Sequence, residues 1–132
     1  MKTSNGKYIA PQQIENLLTN NNYISQFVLI AEGRQFVSAL IVPNFEFLQD
    51  YIKKNNIPFT NWEELVKKDE IIRLYRDKIA ELEHDLSDFE KIKKFTLMPA
   101  EFDINTGEIT PTLKVKRNVV LKKYADIIEK MY

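Results

Sequence analysis

The chain has 132 residues, of which 44% are hydrophobic and 29% charged, a globular composition that excludes a disordered or fibrous protein. Its 19 basic and 19 acidic residues cancel, so no global field favours nucleic acid or anionic lipid. The absence of cysteine removes disulfides, thiolate metal sites and cysteine nucleophiles, and no run approaches the roughly 20 apolar residues of a membrane helix. The length fits one domain, residues 1–132.

The N-terminal third predicts a helix followed by a strand hairpin. Pro11 suits the first turn of a helix that the polar run Asn20–Asn22 ends. Two runs rich in Val, Ile, Phe and Tyr follow, Tyr23–Glu32 and Gln35–Val42. The dipeptide Glu32-Gly33 between them predicts a tight hairpin turn.

The middle of the chain predicts three helices. One begins at Phe45 and ends near Asn55-Asn56. The next has Thr60 as its N-cap, and a capping box with Glu63 is expected three residues on. Apolar residues at steps of three and four then predict an amphipathic helix over Ile72–Leu86, whose charged face, Glu83 included, is expected in solvent.

The C-terminal third predicts one strand, a polar loop and a last helix. The strand covers Ile92–Met98 and stops at Pro99, and the helix carries its apolar residues at Val120, Tyr124, Ile127 and Met131. This order predicts an α+β domain, with a small, mostly antiparallel sheet flanked by helices.

Two polar loops are the candidate sites, because familiar catalytic constellations are missing. The single histidine, His84, lies on the polar side of the amphipathic helix, and no glycine-rich phosphate loop occurs. The first loop covers residues 2–11 and leads into the Pro11 helix. The second covers residues 107–117 and is rich in threonine and lysine.

Together the two loops resemble two signatures of the adenylate-forming (AMP-binding) superfamily. The first is similar to the hinge-proximal motif Lys-x-x-Gly-x-x-Ile-x-Pro-x-x-Ile-Glu, with Asn5 as an extra residue before Gly6. The second is similar to the last core motif, in which a loop presents a lysine shortly after a threonine. Much of the superfamily has Ser-Gly before that lysine. Here Thr112-Leu113 precedes Lys114, as in the long-chain fatty-acid branch. Essentially the whole chain therefore resembles the C-terminal domain of a long-chain fatty-acid–CoA ligase (acyl-CoA synthetase).

The resemblance implies an ATP-dependent acid–thiol ligase, of which this chain would be the small, mobile C-terminal domain. ATP and a fatty acid first form an acyl-adenylate and pyrophosphate, and the thiol of CoA then displaces AMP. Lys114 would be catalytic in the first step, with Thr112 and Lys114 as the adenylate loop. Gly6, Lys7 and Tyr8 would line the tunnel for the pantetheine arm of CoA in the second.

The resemblance also implies partners and location. A large N-terminal adenylation domain, absent from this chain, would hold most of the ATP and acyl pockets, with the hinge upstream of Lys2. The fragment is expected to be inactive alone and to bind none of ATP, CoA or Mg²⁺ tightly, although the complete enzyme uses all three. No metal ligand is assigned here. The complete enzyme is expected to be cytoplasmic or peripheral to a membrane.

Two alternatives stay open. The acid could be aryl, short-chain or an amino acid, because nothing in this domain contacts the acyl chain directly. The chain could also be a non-catalytic binding module that uses the basic clusters Lys91–Lys94 and Lys114–Arg117. Neutral net charge and the lack of interleaved aromatic residues argue against nucleic acid as its target. Within the ligase interpretation, Lys116 and Arg117 are expected to be domain-docking or solvated charges.

Overall fold

The computed structural model describes residues 1–112 and 114–132. Leu113, which belongs to the predicted adenylate loop, lies outside these described residues. The helices and strands, in chain order, are α1 (Pro11–Thr19), β1 (Ile24–Ile30), β2 (Val37–Pro43), α2 (Phe45–Lys54), α3 (Trp62–Leu65), α4 (Asp69–Leu82), β3 (Ile92–Leu97), α5 (Arg117–Lys123) and α6 (Ala125–Lys130). Within the described part of the chain, no helix is both long and apolar enough to cross a membrane.

The sheet has three strands with β2 in the centre, which confirms the predicted α+β class. The β1–β2 pair is antiparallel, with Phe27 opposite Ile41 and Leu29 opposite Ala39. Strand β3 joins the other edge of β2 in parallel, so the expectation of a mostly antiparallel sheet holds for the hairpin and not for β3. A parallel partner needs a crossover, and helices α2 to α4 supply it.

Side chains of the sheet alternate between two hydrophobic cores. Phe27, Leu29 and Ile41 face the first core, which helices α1, α2 and α4 cover. Val28 and Leu40 face the second core, which the chain after β3 and helices α5 and α6 cover. Every residue of β2 is buried, as expected for a strand covered on both faces. The fold therefore has three layers, and both candidate loops lie at the margins of this sandwich.

The turn at Glu32-Gly33 forms where it was predicted, but the strands do not begin at its ends. The backbone N–H of Arg34 donates to the carbonyl of Ala31 (3.0 Å), and Gly33 has a φ of +68°. The strand pairing nevertheless stops at Ile30 and Ser38. The longer connection that results binds the N-terminal segment of the chain.

Two helix starts differ from the prediction. The cap of α3 is Asn61 rather than Thr60, and its Oδ1 accepts from the backbone N–H of Glu64 (2.8 Å). Asparagine ranks above threonine as a cap, which favours the later start. Helix α4 begins earlier than Ile72, at Asp69, where two acidic residues in its first turn suit the positive end of the helix dipole.

Two further differences concern the burial of Glu83 and the continuity of the last helix. Glu83, expected in solvent, is buried, and its Oε2 accepts from the backbone N–H of Ile92 (3.0 Å) at the start of β3. The last predicted helix is broken at Tyr124 into α5 and α6. The Tyr124 side chain still packs against the second core as predicted, and its hydroxyl donates to Glu108 Oε2 (2.7 Å).

Candidate functional site

The first candidate loop folds as a tight hairpin at the start of the chain. We call residues 1–9 the N-terminal hairpin. Lys2 and Tyr8 form an antiparallel bridge, and the N–H of Ile9 donates to the carbonyl of Met1 (2.7 Å). Near its tip, the N–H of Thr3 donates to the carbonyl of Lys7 (2.9 Å), and the N–H of Lys7 donates to Thr3 Oγ1 (3.1 Å). The tip is therefore internally hydrogen bonded.

Gly6 closes the tip of this hairpin in a left-handed conformation. Its φ is +80°, and its N–H donates to the carbonyl of Thr3 (3.0 Å). A Cβ built at Gly6 would meet no heavy atom within 4 Å. Glycine is therefore required here by the backbone, while the space beside it stays open within this domain.

Lys7 and Tyr8 project from the same hairpin. The side chain of Lys7 is exposed, and its Nζ lies 5.6 Å from the ring centroid of Phe89, which is itself exposed. Tyr8 is 71% exposed. The exposed ammonium of Lys7 and the exposed rings of Tyr8 and Phe89 therefore share this part of the surface.

The N-terminal hairpin is attached to the connection between β1 and β2. The N–H of Gly33 donates to the carbonyl of Lys2 (2.9 Å), and the N–H of Ser4 donates to the carbonyl of Arg34 (2.8 Å). The N–H of Lys2 also donates to Glu32 Oε2 (3.0 Å). These contacts fix the hairpin beside the end of β1.

The second candidate loop also forms a hairpin, and its tip carries Lys114. We call the described residues of 108–116 the lysine hairpin. Ile109 and Val115 form an antiparallel bridge, and the N–H of Lys116 donates to the carbonyl of Glu108 (2.7 Å). Above this base, the N–H of Thr110 donates to the carbonyl of Lys114 (2.8 Å). The side chain of Lys114 is exposed and forms no ion pair among the described residues.

Thr110 holds Lys114 in place, and sequence reasoning missed it. Its Oγ1 accepts from the backbone N–H of Lys114 (3.0 Å) and lies 3.0 Å from Oγ1 of Thr112. Thr112, the threonine predicted for the adenylate loop, is exposed. Among the described residues, its side chain is hydrogen bonded to Thr110. The signal that could have found Thr110 is its place at i−4 of the lysine, next to Pro111.

Glu108 anchors the base of the lysine hairpin from within the second core. It is 1% exposed, and its Oε1 accepts from the N–H of Asp103 (3.2 Å), Thr106 Oγ1 (2.5 Å) and Lys123 Nζ (3.1 Å). Its Oε2 accepts from the hydroxyl of Tyr124 (2.7 Å). A buried carboxylate with four donors is well satisfied.

The ionisation of Glu108 follows from this network. Burial alone would raise the pKa of its carboxyl. The hydrogen bonds from Thr106, Tyr124, Lys123 and the Asp103 backbone outweigh burial and lower that pKa below its usual value. The carboxylate in turn raises the pKa of the Lys123 ammonium. Glu108 is therefore a charged structural anchor.

An ion pair joins the lysine hairpin to helix α1. Arg117, directly after the hairpin, donates through its terminal nitrogen to Glu15 Oε1 (2.5 Å). The second oxygen of Glu15 accepts from the backbone N–H of Leu29 in β1 (2.9 Å). The Arg117 side chain is 29% exposed and paired with Glu15, so it is not a freely solvated charge, and the expected domain-docking role stays a prediction. Lys116 is exposed as expected.

The surface beside this pair is an open polar groove of about 590 Å³. Lys114 and Arg117 form one wall, and α1 with the first half of β1 forms the other, through Pro11, Gln12, Glu15, Asn16, Thr19, Ser25, Gln26 and Phe27. The groove puts the lysine hairpin against the first half of β1, whereas the N-terminal hairpin lies against the connection after β1. The two candidate loops therefore lie beside different parts of the β1 region.

The structure brings Thr112 and Lys114 together on one hairpin, and Gly6, Lys7 and Tyr8 on another. It does not bring the two groups into one pocket. Lys7 and Lys114 carry their charges on long, flexible side chains. Because neither hairpin encloses a ligand by itself, such charges suit a site that a second surface completes. The domain therefore presents two separate hairpins with exposed side chains.

Comparisons with known proteins show the family to which the chain belongs. The AMP-binding enzyme C-terminal domain family matches the chain over residues 1–132, so the chain belongs to this family. Among curated relatives, the long-chain-fatty-acid–CoA ligase FadD15 of Mycobacterium tuberculosis is 33% identical over 131 residues, or 98% of this chain and 22% of the relative. Human long-chain-fatty-acid–CoA ligase 1 is 31% identical over 134 residues, or 99% of this chain and 19% of the relative. The chain therefore spans about a fifth of these relatives.

Solved structures show the same fold. The adenylation domain of a carboxylate reductase from Mycobacterium chelonae superposes with a TM-score of 0.79 at 18% identity, over 100% of this chain and 19% of that one. The A-PCP didomain of a carboxylic acid reductase from Segniliparus rugosus, in complex with AMP, gives 0.77 at 19% identity, over 98% and 17%. The predicted fold of the C-terminal domain of adenylate-forming enzymes is confirmed.

Proposed function

We propose that this domain is the C-terminal part of a long-chain fatty-acid–CoA ligase, in which it serves the adenylation and thioester-forming steps in turn. The observation that carries the proposal is the exposed Lys114 at the tip of a hairpin that Thr110 closes. Relatives named as long-chain-fatty-acid–CoA ligases match 98% or more of the chain. The activity, substrates and partner domain of the complete enzyme are part of this proposal.

In the first step, the fatty-acid carboxylate attacks the α-phosphorus of ATP, and pyrophosphate leaves. Negative charge builds up on the phosphorus and carboxylate oxygens of this transition state. The Lys114 ammonium, held on a fixed backbone but free at its tip, would reach several of these oxygens. Among the described residues, no cluster of three or more Asp, Glu, His or Cys side chains could hold a metal ion, and we assign this domain no ligand to the Mg²⁺ that ATP carries.

In the second step, the thiol of CoA attacks the acyl carbonyl, and AMP leaves with the electrons of the acyl–oxygen bond. The open space beside Gly6 would admit the pantetheine arm. Lys7 and Tyr8 would contact the nucleotide end of CoA, where an ammonium suits phosphate and a ring suits adenine. The adenylation domain of the complete enzyme would supply the other wall of both sites.

The remaining parts of the proposal concern partners and place. ATP, CoA and a fatty acid are the proposed substrates, and the enzyme's own N-terminal adenylation domain is the proposed protein partner. Because long acyl chains partition into membranes, peripheral membrane association of the complete enzyme belongs to the proposal. Assays of the complete enzyme with palmitate, a short-chain acid, an aryl acid and an amino acid test the acid class.

Substitution of the lysine separates the two half-reactions. In the complete enzyme, Lys114→Ala should lower adenylation, followed by pyrophosphate release, by about 10³-fold, since a transition-state cation is lost. Thioester formation from supplied palmitoyl-adenylate should stay within about threefold of wild type. Equal losses in both half-reactions would mean that Lys114 acts structurally.

The complementary variant in the same assay is Gly6→Ala, which should slow thioester formation more than adenylation. Gly107→Ala is the matched control, because Gly107 has a nearly equal φ of +77° and also an empty Cβ position, but lies outside the N-terminal hairpin. Both variants should lose roughly 1–2 kcal/mol of stability from left-handed strain. If Gly107→Ala slows thioester formation as much, the effect is general strain and Gly6 has no place in a CoA tunnel.

A further inference from the structure

The ion pair between Arg117 and Glu15 connects the two sequence motifs that the proposed function assigns to different half-reactions. Glu15 is the last residue of the N-terminal motif, and Arg117 follows Lys114 by three residues. Their side chains are 19% and 29% exposed. At this burial a charge pair is screened less than one in open solvent, so the contact restrains the chain on both sides.

The α1 end of this pair is rigid. Its neighbours in the helix, Ile14 and Leu18, are 2% and 0% exposed in the first core. The second carboxylate oxygen of Glu15 accepts from the N–H of Leu29, a fully buried residue of β1. Arg117 is therefore tied to the sheet through a carboxylate that has little freedom to move.

Helix α5 itself gains little from an arginine at this position. Arg117 is its first residue, where the positive end of the helix dipole disfavours a cation. Its Nε is buried and has no hydrogen-bond partner among the described residues. A side chain that costs its own helix stability, and is not fully satisfied, indicates a role other than local folding.

We propose that Arg117 is a positioning residue for Lys114, and that its pairing with Glu15 sets the direction in which the lysine hairpin points. The hairpin has two anchors, Glu108 at its base and Arg117 just after it. With Glu108 alone, the hairpin could pivot about its base. The second anchor on α1 removes that freedom and aligns Lys114 for the charge of the adenylation transition state. The catalytic part of this inference rests on the proposed function.

The activity test uses Arg117→Met in the complete enzyme, a variant that removes the charge and keeps most of the side-chain volume. Adenylation kcat should fall about tenfold, because a small misalignment of a catalytic group costs this much or more. KM for ATP and palmitate, and thioester formation from supplied palmitoyl-adenylate, should stay within about twofold of wild type. Arg117→Lys, which restores the charge, should recover most of the adenylation rate.

Arg34→Met is the matched control, since Arg34 pairs with Glu129 and its side chain is also 29% exposed. That pair does not touch the lysine hairpin, so this variant should leave adenylation unchanged. Glu15→Gln serves if Arg117→Met folds poorly, because a glutamine oxygen can still accept from the N–H of Leu29. The proposal would be overturned if Arg117→Met and Glu15→Gln both adenylate at the wild-type rate. It would also be overturned if Arg34→Met loses as much adenylation rate as Arg117→Met.

Hydrogen exchange tests the positioning independently of any activity. The amide hydrogens of Thr110 and Lys114 are bonded within the hairpin and should exchange about tenfold faster in Arg117→Met than in wild type or Arg34→Met. If wild type forms no palmitoyl-adenylate but this exchange difference appears, the proposed function fails and the positioning role stands. Unchanged exchange in Arg117→Met would overturn the positioning role, whatever the activity.

Discussion

Two buried glutamates have opposite energetic roles. Glu108 meets donors from four groups, and its pKa is lowered although burial opposes this. Glu83 is also buried, but burial outweighs the hydrogen bond from Ile92 and the nearby charges of Lys91 and Lys93, so its pKa is raised. A charged Glu108 therefore stabilises the fold, while a charged Glu83 costs it stability.

Isosteric substitutions should reveal this difference. Glu108→Gln replaces an acceptor oxygen by an amide group that faces donors, and should lower the free energy of unfolding at pH 7 by roughly 1–3 kcal/mol. Glu83→Gln keeps an acceptor for Ile92 and removes a buried charge, so it should leave stability equal or raise it. Urea unfolding followed by circular dichroism measures both. A larger loss in Glu83→Gln than in Glu108→Gln would contradict the assignment.

The stability differences between wild type and the two glutamine variants should disappear in different pH ranges. The folded pKa of Glu83 lies above the unfolded value of about 4.3, so its penalty is complete above the folded pKa and disappears as the pH falls to about 4.3. The folded pKa of Glu108 lies below the unfolded value. Its contribution is complete above about 4.3 and is lost only as the pH falls further, through the folded pKa.

At the level of single elements, the lysine hairpin is short and depends on one threonine. Two backbone bonds, a bridge and Thr110 Oγ1 define its shape, and the side chains at its tip are exposed. Such an element has little apolar burial of its own. Its geometry therefore depends on specific hydrogen bonds, which single substitutions can remove without unfolding the domain.

Thr110→Val should slow the adenylation step that we assign to Lys114 while leaving the fold intact. Valine has the shape of threonine but cannot accept the Lys114 N–H, so adenylation in the complete enzyme should fall by about tenfold, with an unfolding free energy within roughly 1.5 kcal/mol of wild type. Thr60→Val, at an exposed position outside both hairpins, is the control, because Thr112 itself belongs to the proposed adenylate loop. Thr110→Ser should restore the rate. Equal effects of both valine variants would contradict the special role of Thr110.

The elements also show how far the sequence predicts this molecule. The ends of α1, α2 and the three strands lie within about two residues of the predicted ends. Periodicity and turn residues define these elements locally. Glu83 was misread because its side chain accepts from the backbone N–H of Ile92, nine residues further along the chain, and periodicity does not encode such a contact.

The candidate site was predictable to a different extent. Gly6 and Lys114 were found by resemblance to family motifs, and their roles stay predictions. The Glu15–Arg117 pair spans 102 positions of sequence, so neither residue could be assigned to it before the fold was known. Thr110 was overlooked although it carries a local signal, its place four residues before Lys114 and next to Pro111.

At the level of the whole molecule, the domain has its own two cores, but the described residues do not enclose the two candidate loops in one pocket. Strand β2 is buried on both faces, and helices cover each side. We therefore expect the domain to fold without a partner domain. The side chain of Lys114 is exposed, and no described heavy atom lies within 4 Å of a Cβ built at Gly6.

The isolated 132-residue domain should accordingly unfold cooperatively and yet be inactive. Incubation with ATP, Mg²⁺ and palmitate should release no pyrophosphate above a protein-free blank, while thermal circular dichroism shows a single transition. The control is the complete enzyme at equal concentration. Pyrophosphate release by the pure domain would contradict the proposed division of labour between domains.

The contact between Glu15 and Leu29 has a consequence for self-association. Strand β1 lies at one edge of the sheet, where an unpaired N–H could template strand addition by a second copy. The Glu15 carboxylate occupies the N–H of Leu29 on that edge. Strand β3 lies at the other edge and carries the exposed Lys93 and Lys94, charges that oppose edge-to-edge pairing. The carboxylate that orients the lysine hairpin therefore also helps to keep this sheet from growing into an aggregate.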